Sequence, residues 1–317
     1  VTRRLQNAAD GLGHALDPER GERSIRWIEA RGREKAVSVS TVPLDLAPIL
    51  REDLFKRATT TVVTSATLAA DGRFDFLASR LGLDDPELEP RTGIYPSPFR
   101  YAHQALLALP TDIPAPNVDG GAHFAALGRL TLDVASAADG GMFVLFTSHR
   151  DVRAMAAELR ARGREAPWPL LVHGDESRDA LLDRFRSAGK AILLGTASFW
   201  EGVDVPGDAL RALVIAKLPF RVPTEPITAA HCEAIQANGG DPFKEYMLPH
   251  ASLRLKQGFG RLIRTSADRG VVVIADPRVV TKNYGRGLLA GLPPARRIVG
   301  RWTTLLSQIQ EFYSETE

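Results

Sequence analysis

The stretch AILLGTASFWEGVDVPG, residues 191–207, decides the fold because a short apolar run passes directly into a polar loop. The run lies between Lys190 and Gly195, and its length and composition predict a fully buried strand. The loop that follows contains glycines, a proline and two carboxylates. Ligands of open α/β sheets bind outside the carboxyl ends of the strands. The stretch therefore predicts a ligand site at the end of a buried strand.

A second stretch, LKQGFGRLIR at residues 255–264, contains two arginines three residues apart. On a helix, Arg261 and Arg264 would project from one face. A basic helix with a purely structural role would not need Gly258 and Gly260, which weaken a helix by about 1 kcal/mol each. Carboxylates in one loop and paired arginines on one helix together indicate a site that handles nucleotides.

Composition limits the class of protein. The chain has 317 residues, 44% of them hydrophobic, and a formal net charge of +2, so it can bury a large core. Its single cysteine, Cys232, excludes an intrachain disulfide and a cysteine-built metal or iron–sulfur site within these residues. No apolar stretch approaches the length of a membrane span and no signal peptide is visible. We therefore expect a cytoplasmic protein with no membrane partner.

The region from Lys244 to Arg301 is basic, with twelve Lys or Arg residues against three acidic ones, a balance of +9. The charge alone leaves two interpretations open. The region forms either an ordinary solvated surface or a face that binds phosphate groups.

From about residue 99, short apolar runs alternate with segments of helical periodicity. Strands are predicted at residues 104–109, 142–146, 169–172, 191–194, 210–218 and 271–275. Most of the helices between them have ten to fifteen residues, and the last two are predicted at 281–289 and 299–312. This alternation predicts an α/β fold with a mostly parallel sheet and right-handed crossovers.

The N-terminal part of the chain is less regular. Residues 1–34 are polar and basic, with scattered apolar positions that predict no independent core. A strand is predicted at 36–42, and the β-branched run at 59–64 predicts a second, buried strand. Residues 84–98 are acidic and proline-rich, as is typical of a linker.

Five motifs match a known family in order and spacing. They are Ser65-Ala66-Thr67, Phe146-Thr147-Ser148, Phe199-Trp200-Glu201-Gly202-Val203-Asp204, Lys217-Leu218-Pro219-Phe220 and Gln257-Gly258-Phe259-Gly260-Arg261-Leu262-Ile263-Arg264. Through them, residues 36–300 resemble the superfamily 2 DNA helicases of the XPD/DinG group, and most of all the bacterial DinG branch. The resemblance implies RecA-like, three-layer domains of the P-loop NTPase type, with ATP bound in the cleft between two of them.

The resemblance also divides the chain. Residues 1–34 correspond to a remnant of an upstream helical or arch region, 35–95 to the C-terminal end of the first RecA-like domain, and 96–317 to the second. The sequence contains neither the pattern Gly-x-x-x-x-Gly-Lys-Ser/Thr nor an Asp-Glu-Ala-His box. In the family these motifs, which supply the phosphate cradle and the Mg²⁺ carboxylate, precede the third motif, as do the iron–sulfur cysteines of many members. The chain alone is therefore expected to be inactive as an ATPase. It would bind ATP and Mg²⁺ only with a first RecA-like domain, supplied in cis or in trans.

Three residues match the sixth motif of the family. Arg261 and Arg264 correspond to its arginine pair, which stabilises charge on the transferring phosphoryl group. Gln257, one turn before Arg261, would face the same phosphates.

Five further residues match motifs that couple the state of ATP to the grip on DNA. Glu201, Gly202 and Asp204 match the fifth motif, and this role is favoured over the alternative that the two carboxylates cap a turn. Ser65 and Thr67 belong to the third motif, where the simpler interpretation is a turn at the end of a strand.

The resemblance assigns a third group to single-stranded or forked DNA. Thr147, Ser148 and Arg150 follow a predicted strand and match the fourth motif, where hydroxyls and N–H groups at a helix start are good phosphate ligands. Ser148 would also cap the following helix. Thr196 and Lys217 follow two other strands and are further candidate DNA contacts.

Two aromatic residues and one histidine have competing interpretations. Phe199 and Trp200 could stack on bases, but anchoring the loop to the core is the favoured role. His173 follows a strand, and no neighbouring His or Cys ligands support a metal site, so it is expected in a loop near the DNA.

Two other functions stay open. A stand-alone nucleic-acid-binding module with a degenerate motor fold would explain the absent phosphate loop, but it would have no use for the arginine pair and Gln257. A different nucleotide-binding α/β enzyme, such as a sugar-nucleotide transferase, fits the parallel sheet but not the order of the motifs.

Overall fold

The computed structural model of the protein describes residues 2–17, 24–31, 36–69, 72–116, 119–163, 167–200, 205 and 209–315. The chain divides into two compact units. Unit 1 comprises Val1–Ile94 and Arg221–Pro249, and unit 2 comprises Tyr95–Phe220 and His250–Glu317. A two-stranded sheet lies in unit 1 and a seven-stranded sheet in unit 2.

The helices and strands follow one another along the chain in this order: α1 (Thr2–Leu16), β1 (Ser24–Arg31), β2 (Ala36–Pro43), α2 (Ala47–Leu50), α3 (Asp75–Leu81), α4 (Tyr101–Gln104), β3 (Ala105–Pro110), α5 (Gly120–Ala138), β4 (Met142–Leu145), α6 (His149–Ala161), β5 (Leu170–Val172), α7 (Arg178–Ala188), β6 (Ile192–Gly195), α8 (Ala197–Trp200), β7 (Ala212–Ile215), α9 (Pro226–Ala237), α10 (Leu248–Phe259), β8 (Gly270–Ile274), α11 (Arg278–Thr281), α12 (Gly285–Ala290), β9 (Arg296–Gly300) and α13 (Trp302–Ser314). One π-helical turn, Arg51–Phe55, follows α2, and another, Phe243–Met247, precedes α10.

Unit 2 is built around the seven-stranded sheet, whose strand order is β5-β6-β4-β7-β8-β3-β9. All pairings between these strands are parallel among the residues that the structure describes. In β6, Ile192 lies opposite Leu170 of β5 and opposite Met142 of β4, so β6 is an interior strand. Its four residues are buried. The predicted α/β fold with a mostly parallel sheet is confirmed.

Helices cover both faces of this sheet. On one face, α5, α6 and α13 pack over alternate strand residues that include Leu194 and Val144. On the other face lie α7 and α8. There the ring of Phe143 lies 4.7 Å from that of Phe185 and 6.3 Å from that of Phe199, measured between centroids. Strands buried on both faces read as continuous apolar runs, which is why the sequence shows no polar alternation here.

The edge strand β9 was not predicted. Residues 299–312 were expected to form one helix, but Arg296–Gly300 pairs in parallel with β3, and α13 begins only at Trp302. Arginines with exposed side chains are common on edge strands, because they discourage pairing with other chains. They also interrupt the apolar pattern by which a strand is recognised. The helix predicted at 281–289 is likewise two short helices, α11 and α12.

Unit 1 contains the antiparallel pair β1–β2, in which Ser24 lies opposite Pro43 and Arg31 opposite Ala36. Helix α1 packs against β2, and helix α9 packs against β1. The strand predicted at 36–42 corresponds to β2. Strand β1 was not predicted, although Ile25 and Trp27 alternate with polar residues as in a strand, because the segment around them is polar and basic as a whole.

A cluster of cationic and aromatic side chains joins α3 to the second segment of unit 1. The Arg80 guanidinium lies 4.7 Å over the Tyr246 ring, and its Nη1 is 3.3 Å from His231 Nε2. The His231 ring stacks on Tyr246 with centroids 4.9 Å apart. Burial and the nearby Arg80 charge lower the pKa of His231 to about 4. These contacts explain why Arg221–Pro249 groups with the N-terminal part of the chain.

The buried strand predicted at residues 59–64 is wrong. These residues form no strand and are exposed, with Val62 at 80% of its full accessibility. β-branched residues favour an extended backbone, but a strand needs a neighbour with which to pair. No described strand lies beside this segment.

The assignment of the chain to helicase domains stays a prediction. The boundary expected near residue 95 lies close to the end of the first segment of unit 1, whereas residues 221–249, expected in the second domain, group with unit 1. None of the helices in the described part of the chain is both long and apolar enough to cross a membrane.

Candidate functional site

Polar residues predicted to act on DNA follow three neighbouring strands of unit 2. Thr147 and Ser148 come after β4, Thr196 comes after β6, and Lys217 comes after β7. Because β6, β4 and β7 are adjacent and parallel, these residues lie along one edge of the sheet. We call this row the carboxyl edge, and it is where open α/β sheets bind their ligands.

Ser148 is the N-cap of α6. Its backbone is extended, with φ −143° and ψ 150°, and its Oγ accepts a hydrogen bond of 3.1 Å from the Asp151 N–H. The cap satisfies one of the amide groups that a helix start leaves without a partner. Arg150 is exposed on the first turn of the helix, and Thr147 is half-buried. The predicted capping role of Ser148 is confirmed.

Thr196 is buried, with 5% exposure, and is bonded to His173 at the end of β5. The two side chains meet at 2.8 Å between Oγ1 and Nδ1, and the Thr196 backbone N–H lies 3.4 Å from the same Nδ1. The His149 ring packs against His173 with centroids 4.5 Å apart and the ring planes tilted by 50°. Burial, His149 and Arg178 all lower the pKa of His173, so the neutral ring is favoured. Sequence reasoning assigned no site role to either histidine.

Phe199 and Trp200 are fully buried in α8. The Trp200 indole N–H donates to the Phe146 carbonyl at 3.2 Å. Its ring packs so closely on α10 that a Cβ at Gly258 would lie 2.8 Å from it. A ring enclosed in this way has no free face for a base, so the two aromatics hold α8 against the core of unit 2, which agrees with the favoured interpretation.

The two arginines of the sixth motif do not share a helical face, because α10 ends at Phe259. The next residues form a tighter turn, in which the Arg261 N–H donates to the Gly258 carbonyl at 3.1 Å. The glycines that weaken this helix also mark its end. Gln257 lies in the last turn of α10, and all three predicted side chains are half-buried.

Two fixed contacts hold this turn. The Arg261 Nε–H donates to the Trp200 carbonyl at 3.0 Å, which connects the turn to α8. The Arg264 backbone N–H donates to Asp268 Oδ2 at 2.6 Å, and the Thr265 N–H donates to the same oxygen at 2.7 Å. The arginine pair is therefore positioned by a loop with its own hydrogen bonds rather than by a helix.

Lys217 is half-buried, and its loop is held by a buried carboxylate that sequence reasoning missed. Asp276 follows β8 with 0% exposure, and its Oδ2 accepts the Leu218 N–H at 3.0 Å. Arg278 neutralises Asp276, with its Nε–H 2.9 Å from Oδ1. The ring of Phe220 meets that of Tyr284 edge to face at 5.6 Å. An acidic residue directly after the apolar run of β8 was the available signal.

Ser65 and Thr67 lie in unit 1. The Ser65 Oγ accepts the Thr67 N–H at 3.2 Å and lies 3.2 Å from the Thr67 hydroxyl. This is a local side-chain turn, and it agrees with the simpler interpretation of these residues. Glu201, Gly202 and Asp204 of the fifth motif lie outside the described residues.

The chemistry of the described site suits anions rather than metals. Guanidinium, hydroxyl and backbone N–H donors predominate along the carboxyl edge and in the turn after α10. Within the described ranges, no group of three or more His, Cys, Asp or Glu side chains is arranged to hold a metal ion.

The sequence model described as "Helicase C-terminal domain" matches residues 131–295, just over half of the chain. The chain belongs to this helicase family. The match extends from within α5 to the residue before β9, so it includes the carboxyl edge and both arginines. The predicted resemblance to the C-terminal part of DinG/XPD-like helicases is confirmed.

Curated relatives extend the match to most of the chain. The ATP-dependent DNA helicase YoaA of Escherichia coli is 41% identical over 86% of this chain and 41% of its own length. ATP-dependent DNA helicase DinG of Photobacterium profundum is 37% identical over 89% of the chain and 41% of its own. The 3'-5' exonuclease DinG of Bacillus subtilis is 38% identical over 84% of the chain but only 29% of its own. The chain thus spans well under half the length of these relatives.

Solved structures agree on the fold. An XPD helicase structure superposes with a TM-score of 0.60 and 16% identity, covering 82% of this chain and 46% of its own. The structure of S. tokodaii Xpd4 gives a TM-score of 0.53 and 14% identity, covering 83% of this chain and 49% of its own. The helicase C-terminal fold is therefore present in this chain.

Proposed function

We propose that the chain is the C-terminal motor part of an ATP-dependent DNA helicase. In this proposal it completes an ATP site with arginines and grips single-stranded or forked DNA along its carboxyl edge. One observation carries the proposal. The predicted DNA residues line the carboxyl edge, and the helix that follows β6 at that edge, α8, accepts a hydrogen bond from Arg261 at its Trp200 carbonyl. One compact unit thus combines DNA-side and phosphate-side donors.

The phosphate side comprises Arg261, Arg264 and Gln257. A guanidinium has several N–H donors in a planar fork, which suits the oxygens of a phosphoryl group. Bound ATP would supply the phosphoryl group whose transfer to water drives the motor. These arginines would stabilise the charge that develops on it, a contribution of about 10³–10⁵ in rate. Glu201, Gly202 and Asp204, together with Ser65 and Thr67, would couple this site to DNA.

The DNA side comprises five residues of unit 2: Thr147, Ser148, Arg150, Thr196 and Lys217. The amide groups at the start of α6 and the nearby cations suit a phosphate backbone, which a protein binds through such donors without reading sequence. Binding that depends on phosphates weakens steeply as salt concentration rises. We expect such salt dependence here.

The proposal also includes a partner domain, the inactivity of the chain alone and a location. A first RecA-like domain, in cis or in trans, would provide the phosphate loop and the carboxylate for Mg²⁺, because the sequence has neither motif. The chain alone would then show no helicase-like ATPase activity. A cytoplasmic location belongs to the same proposal.

The test is DNA-stimulated ATP hydrolysis by the chain alone and mixed with a first motor domain that carries the phosphate loop. We expect activity only in the mixture. Arg264→Ala should reduce that activity about a thousandfold, whereas Arg186→Ala, on a partly exposed arginine at the end of α7, should leave it unchanged.

Two results would contradict the proposal. Robust hydrolysis by the chain alone would show that a second motor domain is unnecessary. An inactive mixture, with tight and salt-sensitive binding of single-stranded DNA by the chain, would favour the stand-alone binding module instead. The absent phosphate-loop motif is the observation that keeps this second function open.

A further inference from the structure

We infer that His173 is a positioning residue of the motor site, which holds the turn between β6 and α8 through the Thr196 hydroxyl. The inference rests on the proposed function, because it names a residue through which the DNA edge and the arginine turn are held together. His173 follows β5 and touches neither arginine in the contacts described above, so its effect would be exerted through α8.

The hydrogen bonds at His173 fix its protonation state. The Thr196 backbone N–H lies 3.4 Å from Nδ1, and a backbone amide can only donate. Nδ1 is therefore an acceptor without a proton. It follows that the Thr196 hydroxyl, 2.8 Å from the same nitrogen, donates its hydrogen to His173. Thr196 then has no hydroxyl hydrogen left for a DNA phosphate.

This geometry changes the role expected of Thr196. A side chain that is 5% exposed and donates its hydroxyl inward is poorly placed to grip a phosphate directly. Its effect on DNA binding would instead arise from the shape of the turn that it fixes. The residue that fixes this shape from the other side is His173.

Packing holds the histidine in place. Its ring lies between His149, at 4.5 Å, and Phe199, at 4.9 Å. Phe199 in turn lies so close to the end of β6 that a Cβ at Gly195 would be 2.8 Å from its side chain. The His173 ring thus packs against Phe199 of α8 on one side and against His149 at the start of α6 on the other.

Helix α8, which contains Phe199, also contacts the turn after α10 that carries Arg261 and Arg264. Phe199 contacts His173, and the next residue, Trp200, accepts the Arg261 Nε–H at its carbonyl, 3.0 Å away. The Trp200 indole also donates to Phe146, directly before the DNA-side residue Thr147. A shift of α8 would therefore move the support of both sides of the site. Displacements of about 1 Å at a site can reduce a rate by about a hundredfold.

The charged and titratable neighbours favour the neutral ring that this arrangement requires. His149 on α6 packs against the His173 ring, and Arg178 on α7 donates to the Ser198 carbonyl in α8 at 3.0 Å. The nearest described acidic residues after β5 are engaged elsewhere, Asp175 with Arg160 and Glu176 with Arg184.

The test uses variants that separate the acceptor from the ring, in the 317-residue chain mixed with a first motor domain that carries the phosphate loop. His173→Phe keeps a ring but removes Nδ1. His173→Asn places an amide oxygen near the position of Nδ1, whereas His173→Gln places it one bond further out. Affinity for a fluorescent single-stranded oligonucleotide and DNA-stimulated ATP hydrolysis are both measured, with circular dichroism and thermal unfolding to confirm folding.

We expect His173→Phe and His173→Gln to lose about tenfold in both DNA affinity and DNA-stimulated rate, and His173→Asn to recover most of the loss. Thr196→Val should lose a similar factor. The double variant with His173→Phe should lose no more than either single one, because both remove the same interaction. The control His103→Phe, at an exposed histidine of α4, should behave as the wild type.

Each other outcome has a distinct meaning. A folded His173→Phe variant with wild-type affinity and rate would overturn the inference alone, as would His173→Asn and His173→Gln variants that behave alike. If His173→Phe does not fold, the comparison of Asn with Gln still decides. A wild-type protein that neither binds DNA nor hydrolyses ATP in response to it would overturn both the proposed function and this inference.

Discussion

Two short runs, one apolar and one β-branched, both predict a buried strand but have opposite environments. Ile192–Gly195 in unit 2 is an interior strand, buried along its whole length between β5 and β4. Residues 59–64 in unit 1 form no strand and are exposed. Both were predicted to be buried strands. The difference shows that local sequence favours an extended backbone, but that partners on both sides decide whether it becomes a buried strand.

The largest expected effect comes from shortening one side chain in each run. Leu194→Ala removes a fully buried side chain that packs under α5 and α6, and it should lower the free energy of unfolding by about 3 kcal/mol. Val62→Ala removes an exposed side chain, and it should change stability by less than about 0.5 kcal/mol. Urea-induced unfolding, followed by tryptophan fluorescence and circular dichroism, measures both.

Equal losses in the two variants would contradict this comparison, because they would require residue 62 to be buried. The fluorescence signal is informative for unit 2, since Trp168, Trp200 and Trp302 all lie there.

A second comparison concerns a polar residue that follows a buried strand, β8, and one that follows the exposed run at residues 59–64. Asp276, after β8, is fully buried and accepts hydrogen bonds from Leu218 and Arg278. Asp276→Asn keeps the shape but removes the charge, and it should cost about 2 kcal/mol, as expected for hydrogen bonds to a charged group. Ser65, after the exposed run, bonds only locally to Thr67 in the contacts described above. Ser65→Ala should leave the unfolding midpoint nearly unchanged.

The same Asp276→Asn variant should also weaken DNA binding if the Lys217 loop depends on this carboxylate. Lys217→Ala is the matched variant, because it removes the cation without disturbing Asp276. A fully stable Asp276→Asn variant would contradict this prediction, because removing one partner of a buried ion pair leaves the other charge, here that of Arg278, uncompensated.

Much of unit 2 could be predicted from sequence. Interior strands of a parallel sheet are continuous apolar runs, and glycines, prolines and Ser caps punctuate them, so six strands were found near their true positions. Strand β9 was missed because edge strands carry charged residues. Unit 1 was harder. Strand β2 was predicted, but its partner β1 was missed because it lies in a segment that is polar as a whole, and the pairing of two distant segments has no local signal.

For the candidate site, the motifs proposed which residues take part, but the sequence did not predict their geometry. The motifs identified Arg261 and Arg264, yet the helix expected to present them ends at Phe259, since a spacing of three residues does not fix where a helix stops. Thr196 was identified, but not that its hydroxyl points to His173. Contacts between the ends of different strands depend on the strand order, which the sequence does not state.

A smaller effect separates a structural serine from one that serves DNA. Ser148 and Ser177 are both N-caps, and each accepts an N–H from the residue three positions later. Replacing either by alanine should cost about 1 kcal/mol of stability. Only Ser148→Ala should also weaken binding of single-stranded DNA, because Ser148 belongs to the row of predicted DNA residues after β4, whereas Ser177, the cap of the helix after β5, does not. Equal DNA affinities for the two variants would mean that Ser148 only caps the helix and does not contact DNA.

The smallest expected effect is a pH dependence of stability that arises from a buried histidine of unit 2. His123 in α5 is 2% exposed, and its Nδ1–H donates to the Pro114 carbonyl at 2.7 Å. Burial is the main cause that lowers its pKa, against the smaller opposing effect of this hydrogen bond. The folded protein therefore binds fewer protons at this site than the unfolded chain does. Its stability should fall as the pH drops through about 6.5, the ordinary histidine value.

His123→Asn isolates this contribution, because asparagine can donate the same hydrogen bond but does not titrate. The stability of the wild type relative to His123→Asn should decrease by less than about 1 kcal/mol between pH 7.5 and pH 5.5. Other histidines titrate in both proteins and cancel in the difference. A difference that stays constant with pH would mean that His123 accepts a proton as readily in the folded chain as in the unfolded one. In that case burial in unit 2 would not perturb its charge as its 2% exposure predicts.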